Sequence, residues 1–241
     1  MKPLKKISNA LLFDTNGNIA LASFVICAVS GIVLAVPYDV TRAYDSIALM
    51  LITNPPAVFF RNLHYWSAQV FLVFTLLHLW DHLKLETSKE LTTGVWFRLV
   101  LSILFTFFVM LSGFLLKADA DSIQARRILE ALILDIPVIG NLLSGVIFGS
   151  SDSLQLLYVH HISTATIFLI YEHVKTLWTK LSTFLFVLAI LTLVSFFIHA
   201  PLHDNIDPAI KGPWYFVGLQ EILHWMSSPG WIWLFILLLL A

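Results

Sequence analysis

Charge is scarce in this sequence: Asp, Glu, Lys and Arg make up 12% of its 241 residues, and the formal net charge is -1. Hydrophobic residues reach 59%, and mean hydropathy is +0.86. A water-soluble domain of this length needs far more polar surface, so a lipid bilayer is the natural solvent. The few basic residues are spread over many segments instead of forming a stripe, which excludes the phosphate-neutralising face that nucleic acid requires. Cysteine is almost missing too. Cys27 alone permits no internal disulfide, no Cys-x-x-Cys-His covalent haem attachment and no cysteine-held iron-sulfur cluster.

Long apolar runs are abundant. The first, residues 19–36, ends at Pro37 and lacks a small-residue cleavage pattern, so it reads as a retained span and not a signal peptide. A charged, amphipathic connector (38–56) leads to a second span at 59–80, and a third follows at 95–116. The excursion 117–152 carries charges, Pro137 and several glycines, a pattern that predicts short helices on the membrane surface. The fourth and fifth spans fall at 154–174 and 181–199. After them come a polar segment (199–213), a helix-like stretch (214–226) and a sixth hydrophobic segment (229–241). That last segment would reach about 20 Å, short of a hydrocarbon core of about 30 Å, so it is either tilted or part of a longer helix. The expected fold is all-α, a polytopic transmembrane helix bundle, divided into 1–180 and 181–241.

If five crossings alternate, Lys2, Lys5, Lys6, Lys84, Lys89, Lys175 and Lys180 share one side, facing Lys117, Arg126, Arg127 and Lys211 on the other. The positive-inside tendency makes the first side cytoplasmic. The amino terminus is therefore expected in the cytoplasm of a bacterium, with the chain in its cytoplasmic membrane.

The histidines are organised. His64 and His78 lie 14 residues apart on the second span, which returns the helix to within about 40° of its starting azimuth after a rise of about 21 Å. Two imidazoles facing one way at two depths suit two stacked b-type haems, each held without a covalent bond. The fourth span, running in the same direction, offers His160 or His161 opposite His64 and His173 opposite His78. Its intervals are less regular: at 100° per residue, His160 and His161 lie about 140° and about 120° from the azimuth of His173. A porphyrin between helices needs close backbone approach. Gly17 and Gly31 repeat the 14-residue interval on the first span, and Gly113 ends the third. Arg61, one turn before His64, is a candidate partner for a haem propionate.

The stretch 61–78, RNLHYWSAQVFLVFTLLH, resembles the second helix of the cytochrome b family, the quinol-oxidising core of bc1 and b6f complexes. SGIVLAVPYD, KELTTGVW, SGFLL and DIPVIGNLL extend the likeness, which covers about residues 10–226. The resemblance implies a four-helix di-haem core within 1–180 and additional C-terminal helices. It pairs His64 with His161, the histidine in register with Leu154 and Tyr158, and pairs His78 with His173; His160 is the alternative to His161. It also implies an exchangeable quinone or quinol, and partners that include a periplasmic c-type cytochrome or iron-sulfur subunit and a further membrane subunit supplying later helices. A homodimer embedded in lipid is a further expectation.

The chain also departs from the family. IKGPWYF (210–216) resembles the Pro-Glu-Trp-Tyr segment, but Gly212 and Pro213 replace its proline and its proton-accepting glutamate. Leu116, Lys117 and Ala118 stand where Leu-Pro-Trp is usual, and Leu99 replaces a third-helix glycine. Glu221, seven residues after Trp214, is the candidate proton acceptor if burial poises it, with His203 and His224 nearby. The expected function is membrane electron transfer with quinol or quinone in a bc-like quinol:cytochrome c oxidoreductase. The alternatives are a quinone-reactive anchor of a periplasmic dehydrogenase, reductase or multihaem complex without bifurcation, and, in another class, a non-redox transporter or scaffold.

Overall fold

The computed structural model describes residues 2–84, 92–149, 153–164, 166, 167, 170, 180–204, 206, 208–226 and 230–233, with side chains from residue 15 onward. His173, Asp207 and most of the sixth hydrophobic segment lie outside these residues. The described chain is helical, with no strand among the described residues. In order come α1 (Lys2–Leu34), a 3-10 turn (Val40–Arg42), α2 (Ala43–Thr53), α3 (Pro55–Lys84), α4 (Thr93–Leu115), α5 (Ala120–Leu134), α6 (Gly140–Ile147), α7 (Gln155–Val159), α8 (Leu181–Phe197), a 3-10 turn (Trp214–Phe216) and α9 (Val217–Trp225). By length and composition, Thr15–Leu34 and α4 are apolar enough to cross a membrane, and α8 is a shorter apolar helix.

Several boundaries differ from the sequence expectation. Helix α1 begins before residue 19 because its polar turn finds a partner: Asn16 Nδ2 donates to Asp81 Oδ2 at 2.7 Å, near the far end of α3. The connector contains α2, launched by Asp39, which accepts hydrogen bonds from the Thr41 backbone N–H and hydroxyl. Helix α3 starts earlier than the apolar run because Asn54 caps it through the Ala57 N–H, and Pro55 tolerates the first turn. The fourth span does not run on as a plain α-helix: α7 passes into a wide π-helical turn over His160–Thr164.

The chain divides into two compact units, one of Met1–Tyr38, Ser46–Met110 and Ile162–Pro201, the other of Asp39–Asp45, Leu111–His161 and Leu202–Ala241. In the first, α1, α3 and α8 share a core of Ala22, Ile26, Leu63, Val187 and Leu191. Lipid tails are as apolar as leucine, so burial against them supplies little driving force and close packing must hold the helices. Small residues provide it: Ala22, Ser23, Ser30, Ala57 and Ser67 are buried. Ser23 and Ser30 satisfy their hydroxyls on the carbonyls four residues back, Ile19 and Ile26.

Polar side chains of α3 then fix the end of α8. Arg61 donates from Nη1 to the Ala200 carbonyl and from Nη2 to that of Pro201, both at 2.8 Å. Asn62 donates to the Ser195 carbonyl and accepts from the Ala200 N–H, while Trp66 Nε1 donates to the Ile198 carbonyl. A helix end leaves its last carbonyls without intrahelical donors, and α3 supplies them from side chains.

The second unit repeats the device with a carboxylate. Asp119 is fully buried at the start of α5, where it accepts from Lys117 Nζ at 2.8 Å, from the Ser122 N–H and from the His203 N–H. The chain reaches this position through Ala118, whose φ of 53° turns it sharply between α4 and α5. Burial pushes the Asp119 carboxyl upward, but the bonds from Lys117, His203 and Ser122 outweigh it and hold the group below its ordinary value of 3.8.

Two outcomes follow. Asn62→Leu strands the Ala200 N–H and the Ser195 carbonyl and is expected to cost about 2 kcal/mol or more, read as a lower thermal midpoint by tryptophan fluorescence in detergent. Because the folded pKa of Asp119 lies below the unfolded one, its contribution is fully present above about pH 4 and is lost as pH falls through the folded value. Limited proteolysis should find residues 202–213 protected at neutral pH and released only in stronger acid, whereas Asp119→Ala releases them at neutral pH.

Candidate functional site

Helices α1 and α3 run antiparallel, and their register brings the two 14-residue intervals together. Gly17 meets His78, Phe24 meets Phe71 with ring centroids 5.2 Å apart, and Gly31 meets His64. In each pair the residue numbers add to the same total, as one antiparallel register requires. A Cβ on Gly17 would lie 2.9 Å from His78 Cε1, and one on Gly31 would lie 2.9 Å from His64 Cε1. Neither position accepts a side chain without displacing an imidazole.

The environment of His64 also fixes its tautomer. Its Nδ1 lies 2.9 Å from the Cys27 carbonyl oxygen. A carbonyl only accepts, so Nδ1 carries the hydrogen and the lone pair of the neutral ring is on Nε2. The Cys27 thiol returns a long bond to the His64 carbonyl at 3.6 Å. An imidazole held through Nδ1 and presenting Nε2 is the usual form of a metal ligand, so the residues present fit an axial donor to haem iron.

In the second unit the same arrangement recurs at His161. A Cβ on Gly113 would lie 2.8 Å from His161 Cε1, and Ser112 Oγ is 3.1 Å from His161 Nδ1. His160 turns elsewhere: its Nε2 donates to the Val146 carbonyl at 2.9 Å. The adjacent histidines are thus distinguished by their surroundings, with His161 against a glycine and His160 committed to a surface helix.

The remaining candidates are positioned differently from one another. Arg61 is buried, with both terminal nitrogens on the Ala200 and Pro201 carbonyls just beyond α8. Glu221 is 61% exposed and lies 3.9 Å from an exposed His224. The His203 side chain is less exposed, and its Nδ1 lies 3.3 Å from Asp121 Oδ1. Sequence reasoning missed Asp121 because 82 positions separate the partners. Nearby in the same unit, an apolar cleft is lined by Leu111, Ala125, Leu129, Pro213, Phe216 and Gln220. Gly212 is fixed by this cleft: a Cβ there would overlap the Gln220 amide.

Comparison with known proteins gives the geometry its family. The family described as Cytochrome b/b6/petB matches residues 4–200. The cytochrome bc1 complex cytochrome b subunit of Corynebacterium diphtheriae is 26% identical over 196 residues, covering 69% of this chain and 36% of that protein. Cytochrome b6 of Mastigocladus laminosus is 26% identical over 157 residues, 64% of this chain and 73% of the relative. A chain of a solved hyperthermophilic respiratory Complex III shares the fold, with a TM-score of 0.69 at 20% identity over 90% of this chain and 70% of its own. The chain spans about a third of the length of the bc1 relative. With the family match running through all three glycine–histidine contacts, this chain belongs to the cytochrome b family.

Proposed function

We propose that the chain is a di-haem b-type electron-transfer subunit that exchanges electrons and protons with quinol or quinone. The observation that carries this reading is the glycine–histidine contact, made by His64, His78 and His161 alike. His64 and His161 would hold one haem, and His78 and His173 the other. When bound, haem supplies reversible one-electron exchange; the chain supplies fixed imidazoles and close backbone approach.

His161 is preferred to His160 because it lies against Gly113, whereas His160 is bonded to the Val146 carbonyl. Arg61, one turn from His64, would help to set the level of that ligand through its bonds to the Ala200 and Pro201 carbonyls.

The altered segment at Gly212 and Pro213 favours quinone exchange in which proton acceptance lies elsewhere. It also keeps open a non-bifurcating reading, as a quinone-reactive anchor in a periplasmic dehydrogenase, reductase or multihaem complex. The chain holds no iron-sulfur or c-type site of its own, so a periplasmic iron-sulfur or c-type cytochrome subunit is the proposed neighbour. The complex is a dimer in a bacterial cytoplasmic membrane with the amino terminus cytoplasmic.

His64→Ala and His78→Ala should each remove about one b haem per chain by pyridine haemochrome assay; retention of both haems in either variant rejects the ligand assignment. His161→Ala should lose haem while His160→Ala keeps it, and the reverse result exchanges their roles. Gly31→Val should lower haem content as strongly as the loss of His64, because its side chain takes the space of the ring.

A further inference from the structure

We propose that Ser112 is the positioning residue for the ligand His161: its hydroxyl accepts the hydrogen of Nδ1, fixes the ring against Gly113 and sets the donor strength of Nε2. The inference rests on the di-haem reading above and deepens it by naming the side chain that tunes one ligand.

Ser112 is buried on α4, and its Oγ lies 3.1 Å from His161 Nδ1, 49 positions away in sequence. Buried hydroxyls elsewhere on the membrane helices serve their own backbone: Ser23, Ser30, Thr106 and Ser195 each donate to the carbonyl four residues back. Such a bond relieves the cost of burying a hydroxyl and reaches nothing beyond its own helix. Ser112 differs because its oxygen meets an imidazole carried by another segment.

The backbone at His161 explains why an anchor is needed there. His161 belongs to the π-helical turn His160–Thr164, whose wider winding departs from the 100° step that fixes azimuth on a regular α-helix. Two consecutive residues of α4 define the ring's place instead. Gly113 admits Cε1, which an added Cβ would approach to 2.8 Å, and Ser112 meets the neighbouring Nδ1. Turning the ring about its Cβ–Cγ bond carries Nδ1 away from the hydroxyl.

The direction of the bond follows from the chemistry of a ligand. A hydroxyl can donate or accept, but a neutral imidazole that coordinates through Nε2 keeps its one hydrogen on Nδ1, so Ser112 Oγ is the acceptor. Accepting from Nδ1–H makes the ring a stronger donor, which favours ferric over ferrous iron and lowers the midpoint potential. His64 has its anchor in the Cys27 carbonyl, a main-chain group that no substitution removes. At His161 the anchor is a side chain, so the tuning of this ligand is open to mutation.

The test is a redox titration of b-haem absorbance, with low-temperature EPR of the ferric haems, on membranes holding the full chain in its complex. Ser112→Ala removes the acceptor, keeps Cβ and suits a helix. One haem should move to higher midpoint potential. At the ambient potential that half-reduces it in the wild type, its ratio of reduced to oxidised form should rise to about 5, the factor supplied by a hydrogen bond of about 1 kcal/mol. Its low-spin EPR signal should move as the ring gains freedom, while the other haem titrates as before. Ser112→Thr retains the hydroxyl and should restore both readings, a rescue that a packing role for the small side chain does not produce. Loss of one haem from Ser112→Ala, with both kept in Ser112→Thr, is the stronger form of the same result. Wild-type potentials and EPR signals in Ser112→Ala overturn the proposal and leave the haem reading standing, as does an equal shift in Ser112→Thr. Wild-type membranes without b haem overturn the haem reading itself, and this assignment with it.

Discussion

The structure depends on the contact between α1 and α3, where a glycine of one helix receives an imidazole of the other at two depths. Glycine inside a helix costs about 0.8–1 kcal/mol relative to alanine, so each such position must recover that loss through what it lets approach. Here the return is specific. Gly17 and Gly31 leave room for His78 and His64 and for nothing larger. Fourteen residues do not close a whole number of turns on a straight α-helix, and each helix drifts by about 40° over the interval. Because both helices carry the same interval, they share the drift and the contact survives at both ends. A change of interval in either helix alone would break one of the two sites.

A second constraint fixes the depth at which the first operates. Arg61, Asn62 and Trp66 lie on the turns of α3 that flank His64, and all three bond backbone groups between residues 195 and 200 or at Pro201. Sliding α3 by even one residue would strip these donors from buried carbonyls. The level of His64 in the first unit is therefore set by polar groups that have no other reason to be buried among apolar helices. Arg61 illustrates how sequence position and structural task part company. One turn from a candidate ligand it reads as a propionate partner, yet its two terminal nitrogens hold the chain just past α8, 139 and 140 residues away.

Apolar runs announced α4 and α8 almost at their observed lengths and the middle of α3, because a bilayer demands such runs and little else produces them. The paired intervals of His64 with His78 and Gly17 with Gly31 were legible for the same reason: helical periodicity converts spacing directly into azimuth. What was not legible depends on partners distant in sequence. The early start of α1 needs Asp81 for Asn16; Asp119 needs Lys117 and the His203 backbone; Asp121 needs His203. The His160–Thr164 turn was hidden differently. Its irregularity appeared in the sequence as an awkward interval to His173, and only the backbone exposes a wide turn there. Neighbouring histidines that composition cannot separate then differ plainly, one against Gly113 and the other on the Val146 carbonyl.

The altered segment before Trp214 is held by groups that no single stretch of sequence contains. At Gly212 the missing side chain is replaced in space by the Gln220 amide, which arrives from α9. The backbone N–H groups of His203 and Lys211 are bound by Asp119 and Asp121, two carboxylates at the start of α5. A side chain at position 212 would push the Gln220 amide away, so the glycine answers to the packing of α9 and is more than the loss of a proline. The approach to Trp214 is thus tied at two points by the start of one helix and filled at a third by an amide of another, and none of these partners is close to it in sequence except Gln220.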